Sequence, residues 1–403
     1  MTNYVALLPH VLVTALFPAC PRQELYHRCE VFVQIDLVSD KQDMGQFIRF
    51  PWKVYEGNPH WVPPLLKEME FMLGDKNPFF KHAESAYFLA RENGAVVGRI
   101  AAIIDRNHIN IHNEQVGFFG FFECLPVQIA AAEGLLNAAS GWLKERAIEV
   151  MRGPMNPSVN DECGFLFEGF DSPPMIMMPY TPPYYLDYME HCGLAKVKDL
   201  YAYISVIKDV PSADRLEKLA ASLRKRIPGL VVRPANMRKF QKELSAVKDI
   251  YNSAWVHNWG FVPMTEEEID SLADRLKSLL VADLLIMAEV NGDPVAFFMA
   301  VPDFNHVLSK LNGKLGPVEI LKFLWHSRKI KDIRVLTLGV KEEYRRKGIE
   351  AMLYLASFKA AMKRGYERAE MSWVLEDNVL MQKGCELMGG KLYKKYRIFE
   401  RIL

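Results

Sequence analysis

The order of hydrophobic and polar positions along the chain occurs twice. Residues 88–97 read as a strand, a turn at Asn93-Gly94 and a second strand, and the same pattern returns at residues 286–295. An Asn-Gly pair between two hydrophobic runs is typical of a β-hairpin with a two-residue turn. The pattern therefore predicts one hairpin in each half of the chain.

The segments on either side of the two hairpins also correspond. Each half reads in the order strand, helices, hairpin, strand, long helix, strand, short helix and strand, and such self-similarity indicates a repeated fold. We therefore predict an α/β fold of the α+β type with a mixed sheet, built as two tandem copies. The paired segments are residues 31–35 and 230–234, 44–55 and 239–255, 127–150 and 348–364, and 184–193 and 380–389.

The repeat divides the chain into three regions. Residues 1–30 precede the first repeated strand and are predicted to be an extension outside the fold, residues 31–208 form a first copy, and residues 209–403 form a second copy. The apolar stretch at residues 5–17 is interrupted by proline and is shorter than a bilayer span requires. We interpret it as neither a signal peptide nor a membrane span.

The composition limits the classes of partner that the protein can bind and indicates its cellular compartment. The chain contains 50 Lys and Arg residues and 49 Asp and Glu residues, so no overall electric field attracts nucleic acid. The six cysteines form no C-x-x-C pair, which is typical of reduced thiols in the cytoplasm. His108 and His112 have only Glu114 nearby and no cysteine, which is a poor ligand set for a metal. We expect a cytoplasmic protein without a metal centre.

The strongest candidate for chemistry lies in the second copy. Residues 334–344 read as a strand and a turn. The basic run from Arg345 to Lys347 follows, and Gly348 then opens a long helix. At a helix start the unpaired backbone N–H groups attract anions, glycine leaves room for close approach, and basic side chains add positive charge. The pattern predicts a binding site for a pyrophosphate group.

This stretch resembles the acyl-CoA motif of the GNAT N-acetyltransferase superfamily, in which Arg or Gln, two residues, Gly, one residue, and Gly or Ala follow a strand. Arg345 and Gly348 match the motif, whereas Glu350 occupies its last position. The resemblance, which includes tandem GNAT-like bacterial acyltransferases, implies that acetyl-CoA or another acyl-CoA is the co-substrate. It assigns acyl-CoA binding to Leu338, Gly339, Val340, Arg345, Arg346, Lys347, Gly348, Ile349 and Asn378.

The same resemblance suggests candidates for the reaction. In this superfamily an amine attacks the thioester directly, and a backbone N–H of the strand at residues 338–340 stabilises the oxyanion. Glu376 and Asp377 are candidates for taking the proton of the amine, and each also fits a helix cap. Cys385 occupies the place of the tyrosine that often protonates the departing thiolate in the family, and the alternative is a buried packing cysteine.

The first copy lacks the Arg-x-x-Gly motif but contains a long loop. Residues 152–185 are rich in Gly, Pro, Asn and aromatic residues, which is typical of an ordered functional loop. One interpretation is that the loop binds the acceptor, and the other is that it seals the interface between the copies. The candidate acceptor-binding residues are Asn156, Asn160, Asp161 and Tyr180, with Glu162 as a further polar group of the loop.

The sequence therefore predicts an N-acyltransferase that moves an acetyl or longer acyl group from acyl-CoA to a small-molecule or peptide amine. The first copy, which has lost the motif, would supply the acceptor side. Two alternatives stay open because fold does not determine function. One is an aminoacyl-tRNA-dependent transferase, and the other is a non-catalytic acyl-CoA-binding regulatory protein, which the departures at Glu350 and Cys385 allow.

Overall fold

The computed structural model of the chain describes residues 33–210, 213–255 and 258–403, so the predicted extension at residues 1–30 lies outside the described residues. The strands of the first copy are β1 (Val33–Leu37), β2 (Ala83–Glu92), β3 (Ala95–Asp105), β4 (Val116–Cys124), β5 (Val150–Gly153), β6 (Met155–Asn156), β7 (Glu162–Cys163), β8 (Phe165–Glu168) and β9 (Ala195–Val206). Its helices are α1 (Lys41–Arg49), α2 (Pro51–Val54), α3 (Leu66–Met72), α4 (Arg106–His112), α5 (Ile129–Lys144) and α6 (Tyr184–His191).

The second copy repeats this order with fewer short strands. Its strands are β10 (Leu230–Pro234), β11 (Leu285–Val290), β12 (Asp293–Pro302), β13 (Asp332–Val340), β14 (Arg368–Leu375) and β15 (Lys391–Ile402). Its helices are α7 (Ala213–Arg226), α8 (Phe240–Ala254), α9 (Glu266–Leu276), α10 (Asn305–Leu308), α11 (Pro317–Ser327), α12 (Ile349–Arg364) and α13 (Val379–Leu387).

Both predicted hairpins are confirmed. The two turns have positive φ at Asn93 (50°), Gly94 (78°), Asn291 (53°) and Gly292 (90°). Two consecutive residues in the left-handed region are the geometry of a type I′ turn, whose twist matches that of the flanking strands. Asparagine and glycine tolerate this region, and the local sequence is therefore sufficient to form the turn.

One continuous sheet joins the two copies, and its strand order reads β1-β2-β3-β4-β5-β15-β9-β14-β13-β12-β11-β10, with β8 pairing to β15 off this path. The last strand of each copy lies in the part of the sheet formed by the other copy. β15 pairs antiparallel with β5, where Phe399 lies opposite Gly153, and β9 pairs antiparallel with β14, where Ser205 lies opposite Ala369. The two copies therefore exchange their terminal strands.

The two long helices anchor the copies to the sheet. Helix α5 buries Leu135, Leu136 and Leu143, and helix α12 buries Ile349 and Leu353 in the corresponding core of the second copy. Full burial of one such side chain stabilises the fold by roughly 1.5–3 kcal/mol. This packing fixes the start of each helix beside the end of the preceding strand. No helix within the described ranges has both the length and the apolar character that crossing a membrane requires.

Candidate functional site

The sheet opens between β13 and β14, the only parallel neighbours in the described second copy. Their pairing runs from Asp332 opposite Arg368 to Val335 opposite Met371 and then stops, while β13 continues to Val340. β12 pairs with the other edge of β13 along this continuation. Within the described residues, the β14-facing edge of β13 therefore has no strand partner beyond Val335, and its backbone groups can bind a ligand in the gap.

The start of α12 has the geometry of an anion site. Gly348 precedes the helix with φ of 89°, and Arg346 has φ of 59°. This left-handed backbone turns the chain sharply from β13 into the helix, and a side chain at position 348 would strain it. The side chains of Arg346 and Lys347 are exposed beside the free helix N-terminus. Phosphate groups bind at such positions because N–H groups and the helix dipole point toward them.

Two contacts add a structural role to this motif. The guanidinium of Arg345 donates to the carbonyl oxygens of Ala254 (2.6 Å) and Val340 (3.3 Å), and thereby ties the end of α8 to the end of β13. A Cβ atom at Gly348 would lie 3.2 Å from the side chain of Leu223 in α7. The basic last turn of α7, with Arg224, Lys225 and Arg226, therefore lies next to the predicted phosphate site.

The predicted acids between β14 and α13 are held by lysines of β9. Glu376 Oε2 lies 2.6 Å from Lys196 Nζ, and Asp377 Oδ2 lies 2.8 Å from Lys198 Nζ. The Lys198 ammonium lowers the pKa of Asp377. The helix cap is formed instead by Asn378, whose side chain accepts from the backbone N–H of Met381 at 3.1 Å. The exchanged strand β9 thus positions both acids.

Cys385 lies in the core between α13 and the sheet. Its side chain is buried, and this burial raises the pKa of the thiol to about 12. The thiol is therefore neutral at physiological pH. The phenol of Tyr354 in α12 lies close by, with its oxygen 3.7 Å from Met381 Sδ. Both a packing cysteine and a proton donor require a neutral thiol, so the two interpretations of Cys385 stay open.

All four loop residues predicted to bind acceptor have hydrogen-bond partners in the protein. Asn156 Oδ1 accepts from the backbone N–H of Phe121 at 2.6 Å, at a bulge in β4. Asn160 Nδ2 donates to the carbonyl of Val262 at 3.0 Å, in the second copy. The hydroxyl of Tyr180 donates to the carbonyl of Phe170 at 3.1 Å. These contacts hold the shape of the loop and attach it to the second copy.

Asp161 and Glu162 form the titratable pair of the loop. The loss of surrounding water raises the pKa of Asp161 to about 6. A hydrogen bond of 2.7 Å from the Ser158 hydroxyl opposes this shift because it stabilises the carboxylate. Burial also raises the pKa of Glu162 to about 7, although the nearby positive charge of Arg334 opposes the shift. A carboxylate with a pKa near neutrality is suited to general base catalysis.

The loop lies against the gap in the second copy. Arg334 of β13 donates to the carbonyls of Ile176 (2.8 Å) and Met177 (2.9 Å). Trp373 of β14, beyond the last parallel pair, packs in a core cluster that contains Met155 and Cys163 of the loop. Glu162 therefore lies near β13 and β14, the two strands on either side of the gap.

A cavity of about 750 Å³ extends from this region. It is bounded by α3 and the 152–185 loop of the first copy and by α9, α10 and α11 of the second. Its polar groups include Asp161 and Glu162, and most of the remaining wall is apolar. Apolar lining residues include Trp61, Met69, Phe122, Met177, Leu276, Val301, Leu308 and Phe323. This volume is in the range of sites that enclose small organic ligands.

The two histidines of α4 serve structural contacts. His108 Nε2 lies 2.8 Å from Glu114 Oε1, and His112 Nε2 lies 3.0 Å from the carbonyl oxygen of Phe261. Burial lowers the pKa of His108. In the described part of the chain, no group of three or more His, Cys, Asp or Glu side chains has the arrangement of a metal site.

The mixed sheet has a gap between the parallel strands β13 and β14, and a glycine precedes the helix that follows β13. Together these features are typical of GNAT-type acyltransferases, and the chain contains two copies of this fold. The family model described as "Acetyltransferase (GNAT) family" matches residues 244–384, within the second copy. The chain belongs to this family, as its relatives also show, and it is an acyltransferase.

Two curated relatives align over nearly the whole chain. Protein YghO of Escherichia coli is 36% identical over 90% of this chain and 93% of its own length. The bacterial ceramide synthase of Caulobacter vibrioides is 35% identical over 91% of this chain and 96% of its own length. The solved tandem GNAT protein from the clavulanic acid biosynthesis pathway is similar in fold, with a TM-score of 0.54, 12% identity and coverage of 92% of this chain and 98% of that protein.

The structure adds groups that the sequence did not assign to the site. In the sequence Glu162 is one of several polar loop residues, and no local pattern places the basic turn of α7 or the cavity wall at the site. The cavity is formed by segments from Pro51 to Leu324 that are distant in sequence. The adjacent acids Asp161 and Glu162 inside a Gly- and Pro-rich loop are the local signal that could have singled out this pair.

Proposed function

We propose that the protein is an N-acyltransferase that moves an acyl group from acyl-CoA to the amine of an acceptor with a long aliphatic chain. The second copy, residues 209–403, holds the acyl-CoA at the start of α12 and along the open edge of β13. The first copy, residues 31–208, supplies the loop that meets the acceptor. The acceptor chain occupies the apolar cavity.

The cavity carries this proposal. Its volume of about 750 Å³ and its apolar wall suit an aliphatic chain, since each buried CH₂ group contributes about 0.8 kcal/mol to binding. A short polar amine would leave most of this surface without a partner. The relative named bacterial ceramide synthase supports the same chemistry, because a ceramide is the N-acyl product of a long-chain amine.

The proposed mechanism uses groups on both sides of the gap. Backbone N–H groups of residues 336–340 stabilise the negative charge that develops on the thioester oxygen. The carboxylate of Glu162 takes a proton from the attacking amine, so that a C–N bond forms while the C–S bond breaks. The departing thiolate takes a proton from solvent, Glu162 releases its proton to solvent, and the products are an amide and free CoA thiol.

Turnover by the purified full chain tests the proposal. Free-thiol release is measured with palmitoyl-CoA and either sphinganine or a short-chain amino alcohol, and the amide is identified by mass spectrometry. We expect N-acylsphinganine, with a much lower rate for the short amine. Thiol release with short amines alone would contradict the proposed acceptor class.

A cavity variant provides a second test. Leu308→Trp places a large side chain in the cavity wall, and Leu37→Trp makes the same change at a residue that is 55% exposed on β1. We expect Leu308→Trp to lower turnover of sphinganine by roughly tenfold or more while the residual rate with the short amine is retained. The Leu37→Trp control should match the wild type with both acceptors.

A further inference from the structure

Helix α11 presents an apolar surface to solvent. None of its residues is buried, and the exposed fractions are 60% for Val318, 68% for Leu321 and 62% for Trp325. These positions follow the helical repeat and form one stripe. A surface helix of a globular protein normally presents polar side chains there, and a contiguous apolar stripe is typical of an interaction site.

The neighbouring side of the same helix lines the cavity. Ile320, Phe323 and Leu324 contribute to the cavity wall, and Phe323 stacks on Phe304 at a centroid distance of 5.5 Å. Ile320 and Leu324 are also 47% and 55% exposed. Because the same side chains meet both the cavity and solvent, the cavity opens at α11, and the apolar surface is continuous from the outside to the interior.

Positive charge surrounds this opening. Residues 310–331 contain six Lys and Arg residues and a single acid, Glu319, which accepts from the backbone N–H of Gly316 at the helix start. The chain as a whole has a net charge of only +1, so this segment is much more basic than the average of the chain. No carboxylate of the described residues forms an ion pair with Lys310, Lys314, Lys322, Arg328 or Lys329.

Trp325 and Lys329 combine the apolar surface of α11 with its positive charge. The Lys329 ammonium lies 5.3 Å from the centre of the Trp325 ring, one helical turn away. Tryptophan is enriched at the level of lipid headgroups, and basic side chains on the same helix attract anionic lipids. The apolar stripe with unpaired cations is therefore complementary to the surface of an anionic bilayer.

We propose that α11 docks the protein on an anionic phospholipid bilayer and that the acceptor enters the cavity from the bilayer beside this helix. Val318, Leu321 and Trp325 insert at the headgroup boundary, and the basic residues contact lipid phosphates. The inference deepens the proposed function and rests on it, because the docked opening leads to the cavity assigned to the aliphatic chain.

Vesicle co-sedimentation of the full chain tests the docking. The vesicles contain either phosphatidylcholine alone or an equimolar mixture with phosphatidylglycerol. The double variant Leu321→Glu, Trp325→Glu changes the stripe, and Ile402→Glu makes a matched change at a residue that is 83% exposed on β15. We expect salt-sensitive binding of the wild type to the mixed vesicles, with binding of the double variant weaker by roughly tenfold or more.

Three results would overturn the docking proposal. The first is a wild type that stays in the supernatant with mixed vesicles, and the second is a double variant that sediments as the Ile402→Glu control does. The third is a wild type that forms a dimer and does not bind vesicles, whereas the double variant is a monomer. Turnover of a short soluble amine should be unchanged in the double variant. Normal vesicle binding without acylation of any long-chain amine would refute the proposed function and leave the docking intact.

Discussion

The hydroxyl of Tyr251 in α8 donates a hydrogen bond to Oδ1 of Asn160 at 3.2 Å and so joins the second copy to the loop of the first. The other side of the same amide donates to the carbonyl of Val262 at 3.0 Å. Asn160 therefore connects the loop to two segments of the second copy. These contacts fit the second interpretation of the loop, in which it seals the interface between the copies.

Replacement of Asn160 should destabilise the protein. Asn160→Ala leaves the Tyr251 hydroxyl and the Val262 carbonyl without their partner, and we expect the free energy of unfolding to fall by about 1–3 kcal/mol. Thermal denaturation measures the effect, with Asn110→Ala on the exposed side of α4 as the control. A variant with wild-type stability and impaired turnover would instead favour a direct contact of Asn160 with the acceptor.

Glu162 should determine the pH dependence of turnover. Because its pKa is raised to about 7, the carboxylate form increases as pH rises through neutrality, and we expect kcat/KM to rise with it. Glu162→Gln should lower turnover by roughly 10²–10⁴-fold and remove this rise. The control is Glu149→Gln at an exposed position. An unchanged pH profile in Glu162→Gln would exclude the residue as the base.

The same residue should limit stability at higher pH. Its folded pKa lies above the value of an ordinary glutamate, so between these two values the folded protein holds a proton that the unfolded chain has lost, and stability falls as pH rises. Glu162→Gln should increase the free energy of unfolding above neutral pH by on the order of 2 kcal/mol. Denaturation at several pH values tests this, since the gain should vanish under acidic conditions.

The basic residues at the start of α12 should separate into two classes. Arg346→Ala combined with Lys347→Ala should weaken acyl-CoA binding by at least about 1 kcal/mol with little change in stability, because both side chains are exposed. Arg345→Ala should also lower the melting temperature, since Ala254 and Val340 lose a donor.

Calorimetry and thermal denaturation together distinguish these classes. Lys363→Ala, at the opposite end of α12, is the matched control for charge. Equal affinity for acyl-CoA in the control and in the Arg346, Lys347 double variant would argue against phosphate binding at this helix start.

The exchange of terminal strands predicts that the second copy does not fold alone. A chain restricted to residues 211–403 would lack β9, so β14 and β15 would each expose an unpaired edge. Unpaired edges favour aggregation. We expect this shorter chain to aggregate or remain unfolded in size-exclusion chromatography and circular dichroism, and to become soluble when co-expressed with residues 31–210. A stable monomer of residues 211–403 would contradict this expectation.

Features that depend on neighbouring residues can be predicted from the sequence alone. An Asn-Gly pair between two hydrophobic runs predicts each hairpin, because asparagine and glycine readily adopt the left-handed turn. The order of elements and the glycine before α12 are likewise local, so the repeated fold and the motif resembling that of acyltransferases could be predicted from the chain.

The exchange of strands, the partners of the side chains and the position of the cavity depend on residues that meet only in the folded chain. The pairing of β9 with β14 joins residues such as Ser205 and Ala369, and no local pattern specifies this choice between equivalent edges. The role of Asn160 depends on groups that folding brings from the second copy, and the raised pKa of Glu162 depends on the burial that folding produces. Hydrogen bonds and desolvation act over a few ångströms in space, whereas a sequence pattern records only distance along the chain.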